Sequence, residues 1–320
     1  MRAFEEEEGA TALYDRPRVV AIGGGHGLAV TLRAALGYAG TITAVVSVAD
    51  NGGSSGRLRA TLGIPAPGDL RRCIGALAPE GSALAGALEH RFESGELSGH
   101  AFGNLLIAAL TATSGDFVTG VGEAALCVGS RGVVLPATSG PVELLADGPG
   151  GAVVGQVAIT QASAVRRVAL EPSDAPSPPA VAAAILAADQ VVLGPGSLFT
   201  SVLAAAVVPG VLGALRATRA QRVYVANLRE QLPETAGFDV AAHLFALAAH
   251  DVPVDVVVAD ESALEVGDLD PAVELVVARV ARPGAGLHDS ALLGRVLARI
   301  SRSGGGAPAR AGEACGRTKR

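Results

Sequence analysis

The chain has 320 residues, 49% of them hydrophobic, a formal net charge of −6 and a single lysine, Lys319. That length suffices for a large α/β domain with a substantial core, and the acidic balance excludes the basic face that a nucleic-acid partner would need. With its one lysine in the tail, the body of the chain has no P-loop lysine, Schiff-base lysine or lysine general base. An anionic ligand must be held by arginine, by backbone N–H groups or by a metal.

Mean hydropathy is +0.41, yet the apolar residues come in short runs broken by Gly, Pro or charge. The richest run, residues 198–215, is interrupted by Thr200, Ser201, Pro209 and Gly210, so it falls short of the roughly 18 uninterrupted apolar residues of a membrane span. A parallel sheet buried on both faces explains the bias instead. Residues 5–8 are all glutamate, where a signal peptide would be cationic and then apolar. Cys73, Cys127 and Cys315 are too scattered for a metal motif or a disulfide framework. Reduced thiols in a cytoplasmic protein are the expectation.

In chain order, residues 1–16 read as a disordered acidic leader. Residues 18–22 form a strand that runs into Gly23-Gly24-Gly25-His26-Gly27. A helix follows over 28–36, where Leu28, Leu32 and Leu36 share a face. Residues 41–48 are a second strand, ending at Asp50-Asn51-Gly52-Gly53-Ser54-Ser55-Gly56-Arg57, which completes a βαβ unit. Residues 57–128 read as helical, broken at 65–69 and 97–100. Asp69 stands as an N-cap before 70–77, and Gly103-Asn104 opens another helix. Residues 133–170 alternate apolar stretches with Gly, Pro and Asp and read as an antiparallel insertion. Strands then recur at 191–193, 222–226, 254–258 and 274–280, with a last helix over 290–300. Residues 303–320 read as a disordered tail. The fold class is a Rossmann-like, doubly wound, mostly parallel α/β sheet with a small antiparallel insertion.

The glycine clusters carry the chemistry. Gly24, Gly25, His26 and Gly27 turn strand into helix, so that the first helical N–H groups and the helix dipole favour an anion. The plain alternative is a tight turn without a ligand. A dinucleotide fingerprint fits poorly, because Leu28 or Val30 occupies the place of its third glycine. The second cluster ends the neighbouring strand and faces the same crevice. Asp50 is placed to accept from a ribose or sugar, or to hold a cation; Ser54 and Ser55 suit a phosphate, and Arg57 its charge. Gly194, Gly196 and Ser197 repeat the strand-to-helix turn, and Asn227 ends the next strand. Asp69 doubles as a cap, Asn104 as a base or anion contact. His100 by itself proves little, and the other histidines show no ligand pattern.

The ordered set IGGGHGL, VADNGGSSGRL, PAPGDLRR, LSGHAFGNLLIAALT, LPAT, LEP, VVLGPGSLFTSVL and YVANL, spanning residues 18–260, resembles the gluconeogenesis factor family. That family is a CofD-like group related to 2-phospho-L-lactate transferases. The resemblance implies a CofD-like domain over 17–302, cytoplasmic location, UDP-sugar binding, and a role in cell shape and wall synthesis during gluconeogenic growth. It also implies UDP-sugar or a related nucleotide and cell-wall synthesis proteins as partners; a homo-oligomer is expected as well. The related transferases move a phospholactyl group from a nucleotide-activated donor to a deazaflavin with magnesium. Two positions depart from the family's pattern: His26 stands where Thr is usual, and Asn51 where a second Asp is usual. Losing a carboxylate weakens a metal site, so the reading is a binding factor and not an enzyme, with no resident cofactor. The alternative is a magnesium-dependent transferase with Asp50 and Asp69 on the ion. A dehydrogenase ranks third: Asp50 ends a strand where an acid would read ribose, but the glycine pattern is wrong.

Overall fold

The computed structural model describes residues 16–148 and 150–304. The expected leader and tail lie outside these residues, apart from Arg16 and the last two residues of the C-terminal helix.

The chain opens with β1 (Arg18–Gly23), α1 (Gly25–Ala35) and β2 (Thr41–Val46). Five helices follow: α2 (Gly53–Leu62), α3 (Gly68–Leu77), α4 (Ala83–Glu89), α5 (Phe102–Ser114) and α6 (Phe117–Cys127). After β3 (Val133–Pro136) come β4 (Glu143–Gly148), β5 (Gly151–Val154), α7 (Gln156–Thr160) and β6 (Arg167–Glu171). The second half runs α8 (Pro179–Ala187), β7 (Gln190–Leu193), α9 (Leu198–Ala206) and α10 (Pro209–Ala217). It ends with β8 (Gln221–Val225), α11 (Val240–Ala249), β9 (Val256–Ala259), β10 (Glu274–Val277) and α12 (Ser290–Gly304).

Seven strands make one sheet in the order β10-β9-β8-β7-β1-β2-β3, and every pairing is parallel. All four residues of β7 and of β9 are buried, as a sheet covered on both faces requires. From β1 the chain proceeds outward through β2 to β3, then returns to β7 on the other side and proceeds outward to β10. The order therefore reverses between β1 and β7, and the ends of those two strands frame the crevice where open α/β sheets take ligands.

Helix α1 covers one face with Leu28 and Leu32, and α3 with Leu70, Ile74 and Leu77, all fully buried. Each contributes about 1.5–3 kcal/mol of transfer free energy. Gly294 of α12 lets that helix approach α1 closely, because a Cβ there would sit 2.9 Å from the Ala34 carbonyl oxygen. Among the described residues no single helix is long and apolar enough to cross a membrane; the pair α9–α10 is bent by 75°, and every residue of α9 is buried.

Three expectations need correction. Asp69 is not an N-cap: α3 begins at Gly68 after Pro67, and Asp69 lies in its first turn. Residues 133–136 were expected in the antiparallel insertion, but β3 is the parallel edge of the main sheet, in register with Thr43–Val46 of β2. The antiparallel sheet is β5-β4-β6 alone. Its alternation begins only at Glu143, where one face meets the core and the other faces out. The glycine clusters are also more helical than expected. Helix α1 begins at Gly25 and α2 at Gly53, so Ser54, Ser55 and Arg57 lie inside a helix and not on a loop.

Candidate functional site

The turn after β1 enters α1 through Gly24, which is extended and offers no side chain to cap the helix. Gly25 follows at φ +65°, where a side chain would be strained. At Gly27 a Cβ would overlap the Pro195 carbonyl oxygen, so only glycine permits the β1 and β7 turns to touch. The N-terminus of α1, with no cap from its own Ncap side chain, therefore opens at the switch point, where an anion site is expected.

Here lies a crevice of about 470 Å³. Gly24, Gly25, His26 and Gly27 form one wall, Gly196 and Ser197 the opposite one. Asn227 closes the floor: its Oδ1 accepts from Gly196 N at 3.1 Å and its Nδ2 donates to Gly196 O at 3.0 Å. Its amide thus holds the β7 turn in place. His288 Nε2 donates to Ala226 O at 3.1 Å. Because a carbonyl only accepts, that nitrogen carries the proton. Burial lowers the His288 pKa, against the pull of the Ala226 bond and Asp260.

The second glycine cluster meets the first through Asp69. A Cβ on Gly24 would lie 2.5 Å from Asp69 Oδ2, and the Gly25 N–H donates to this carboxylate. Asp69 Oδ1 accepts from Arg72 at 2.8 Å. Burial raises the Asp69 pKa, Asp50 adds to the rise, and Arg72 and the Gly25 bond oppose it. Asp50 Oδ1 accepts from Gly52 N at 2.9 Å. Its other oxygen and the Ser55 hydroxyl both lie against Gly68, where no Cβ fits.

Ser54 is a buried hub. Its hydroxyl accepts from Asn104 Nδ2 at 3.0 Å and Ala101 N at 3.4 Å, and lies 3.1 Å from His100 Nδ1. One hydroxyl proton and two acceptor positions match those three bonds when His100 is neutral. Burial, with Arg57 and Arg91, lowers the His100 pKa and keeps it so. Asn104 Oδ1 in turn accepts from Arg71 Nε at 3.1 Å, and buried Arg71 pairs with Glu89. Arg57 donates to Ser98 O at 2.9 Å.

The residues read from the sequence thus join in one continuous arrangement, but in different roles. Gly24, Gly25, His26, Gly27, Gly196, Ser197 and Asn227 line the crevice. Asp69 adjoins it beside Gly24, while Asp50 and Ser55 lie against Gly68. Ser54, Asn104 and Arg57 brace α2 against α5 and the 98–100 turn. Asn51 ties α2 to the antiparallel sheet. Gly194 shapes the β7 turn at φ +78°. Sequence reasoning misses Arg229, Leu232 and Leu287. Arg229 lines the crevice, lies over Gly286 and has no ion-pair partner among the described residues. Leu232 and Leu287 line it too, yet are 73% and 59% exposed, and make two apolar lips.

Among the described residues no three His, Cys, Asp or Glu side chains converge on a metal position. Asp50 is close enough to raise the charge cost of Asp69. Such a pair suits magnesium only if phosphate oxygens and water complete the shell.

The comparisons agree with this fold. A family model described as "2-phospho-L-lactate transferase CofD" matches residues 19–278. A Mycobacterium tuberculosis protein named "Putative gluconeogenesis factor" is 44% identical over 303 residues, 87% of this chain and 89% of its own. A "Gluconeogenesis factor" of Halalkalibacterium halodurans is 43% identical over 238 residues, 73% of this chain and 74% of its own. A crystal structure of a UPF0052-family protein from Bacillus halodurans is 34% identical with a TM-score of 0.81, covering 88% of this chain and 99% of that one.

Proposed function

The chain belongs to the CofD family and is akin to its gluconeogenesis factors, and from that premise we propose that it binds a UDP-sugar in the β1/β7 crevice. The observation that carries the reading is the glycine-lined N-terminus of α1 facing the β7 turn at the switch point. The diphosphate lies on the N–H groups of His26 and Gly27, since Gly25 N–H is held by Asp69, with Arg229 supplying the countercharge that the absent lysine cannot. Leu232 and Leu287 hold the base between apolar surfaces, and Ser197 meets a sugar hydroxyl. A crevice of about 470 Å³ is within the range of small-molecule sites.

In this reading the protein is a cytoplasmic regulatory factor that senses a nucleotide-sugar for cell shape and wall synthesis during gluconeogenic growth. Calorimetry with UDP-GlcNAc, UDP-glucose, GDP and NAD tests it. Saturable binding of a UDP-sugar is expected; binding of NAD alone defeats it.

The Asp50–Asp69 pair and the family model's description favour a second reading, a transferase acting on a nucleotide-activated donor. Asp50 and Asp69 would hold magnesium, which when bound would offset charge on the donor's phosphates. Asp69 already serves Arg72 and Gly25, so Asp50 is the freer ligand. A magnesium-dependent product from a lactyl- or enolpyruvyl-diphospho nucleotide and a deazaflavin would establish it.

A further inference from the structure

A second cleft, of about 650 Å³, lies on the other side of α1 between α1, α3 and α4. Arg33, Arg72 and Arg131 all line it, and none of them lines the crevice. Arg33 and Arg131 have no hydrogen-bond or ion-pair partner for their guanidinium groups among the described residues. Arg72 holds Asp69 with one nitrogen, but its Nε is buried without an acceptor. A buried donor left so is unfavourable, and a ligand oxygen would satisfy it. Arg33 and Arg72 line the same cleft, and both act on the buried Cys73 thiol, lowering a pKa that burial and Asp69 raise.

Two carboxylates share the wall. Glu89 is taken by Arg71, and Glu80 stands exposed on the rim. The cleft therefore keeps a surplus of positive charge. Apart from Leu36 its wall is mostly small residues, among them Ala29, Gly75, Ala76 and Gly86. A planar base finds no pair of large side chains here, unlike the two leucine lips of the crevice.

We propose that this cleft is a second anion site, which takes a non-aromatic organic phosphate of the sugar-phosphate kind on Arg33, Arg72 and Arg131. Guanidinium forks pair with phosphate in bidentate fashion, and the small wall leaves room for a polyol. The site is separate from the nucleotide crevice and stands whether or not that crevice takes a UDP-sugar.

The test is calorimetry of the full chain with fructose 1,6-bisphosphate, inorganic phosphate and fructose. The variants are Arg33→Gln/Arg131→Gln and, in the crevice, Arg229→Gln. All three arginines are exposed, so both variants should keep the wild-type melting temperature. The bisphosphate is expected to bind saturably, and more tightly than inorganic phosphate, while fructose gives no signal. The double variant should bind it about tenfold or more weakly, and Arg229→Gln should bind it as the wild type does. Four outcomes would overturn the proposal: no saturable binding, equal affinity for inorganic phosphate, an unaffected double variant, or a loss confined to Arg229→Gln.

Discussion

Asn51 and Glu143 join the two sheets: Asn51 Nδ2 donates to Glu143 Oε1 at 3.2 Å, while Asn51 Oδ1 accepts from Val157 N at 3.0 Å. An aspartate cannot make the first bond, because Glu143 also only accepts. Arg59 reinforces the contact by donating to Glu143 Oε2 at 3.0 Å. The amide where the family pattern usually has a carboxylate is therefore matched to its neighbour.

Asn51→Asp should destabilise the protein by about 1–2 kcal/mol at neutral pH. The new carboxyl, facing Glu143, would have a folded pKa above its unfolded value. Its penalty is then absent at low pH and develops as pH rises through the folded value. Urea unfolding of variant and wild type at pH 7 and about pH 4 checks this; a difference that grows on acidification contradicts it.

Gly25 and Gly27 should respond differently to alanine. Gly25 has open space around its Cβ position but φ of +65°, so Gly25→Ala should cost about 1–2 kcal/mol. At Gly27 the obstacle is the Pro195 backbone, which cannot swing aside. Gly27→Ala should lower stability more, by about 2–4 kcal/mol, and should open the crevice. Equal thermal midpoints for the two variants would refute the close approach.

Ser54→Ala removes a hydroxyl with three partners and leaves Asn104 and Ala101 N short of an acceptor. A loss of about 2–3 kcal/mol is expected, with nucleotide binding retained in whatever fraction stays folded. If instead stability is unchanged and binding is lost, Ser54 touches ligand and the bracing role is wrong.

The sheet and the turns were legible because both rest on local signals: continuous apolar strands and glycines directly after them. The roles within the site were less so. Ser54 and Arg57 look like phosphate ligands in the sequence, and only the packing of α5 against α2 turns them inward to Asn104, His100 and Ser98. Arg229, Leu232 and Leu287 were invisible because residues 228–239 and 278–289 are irregular segments with no period to read. Tertiary folding alone brings them over Gly286 and the α1 N-terminus.

Acidification should weaken the fold. His243 and His250 are buried, each with Nδ1 on the carbonyl four residues earlier, and burial lowers both pKa values below the ordinary 6.5. The unfolded chain then binds more protons than the native one below about pH 6.5, so their contribution is present above that pH and lost as pH falls. His243→Leu should flatten the decline of the thermal midpoint between about pH 6.5 and 5. An unchanged slope would show that His243 stays neutral in both states or contributes nothing.

The central claim is that a UDP-sugar sits at the α1 N-terminus with Arg229 on its phosphates. Its most direct test is a calorimetric titration of UDP-GlcNAc into wild type, Arg229→Ala and Arg57→Ala. Saturable binding is expected for the wild type, with Arg229→Ala weaker by about 1.5–3 kcal/mol, roughly 10- to 150-fold. Arg57→Ala should bind nearly as the wild type does, because Arg57 is held on Ser98. Full affinity in Arg229→Ala, or a loss confined to Arg57→Ala, would contradict the claim and move the phosphate to the second glycine cluster.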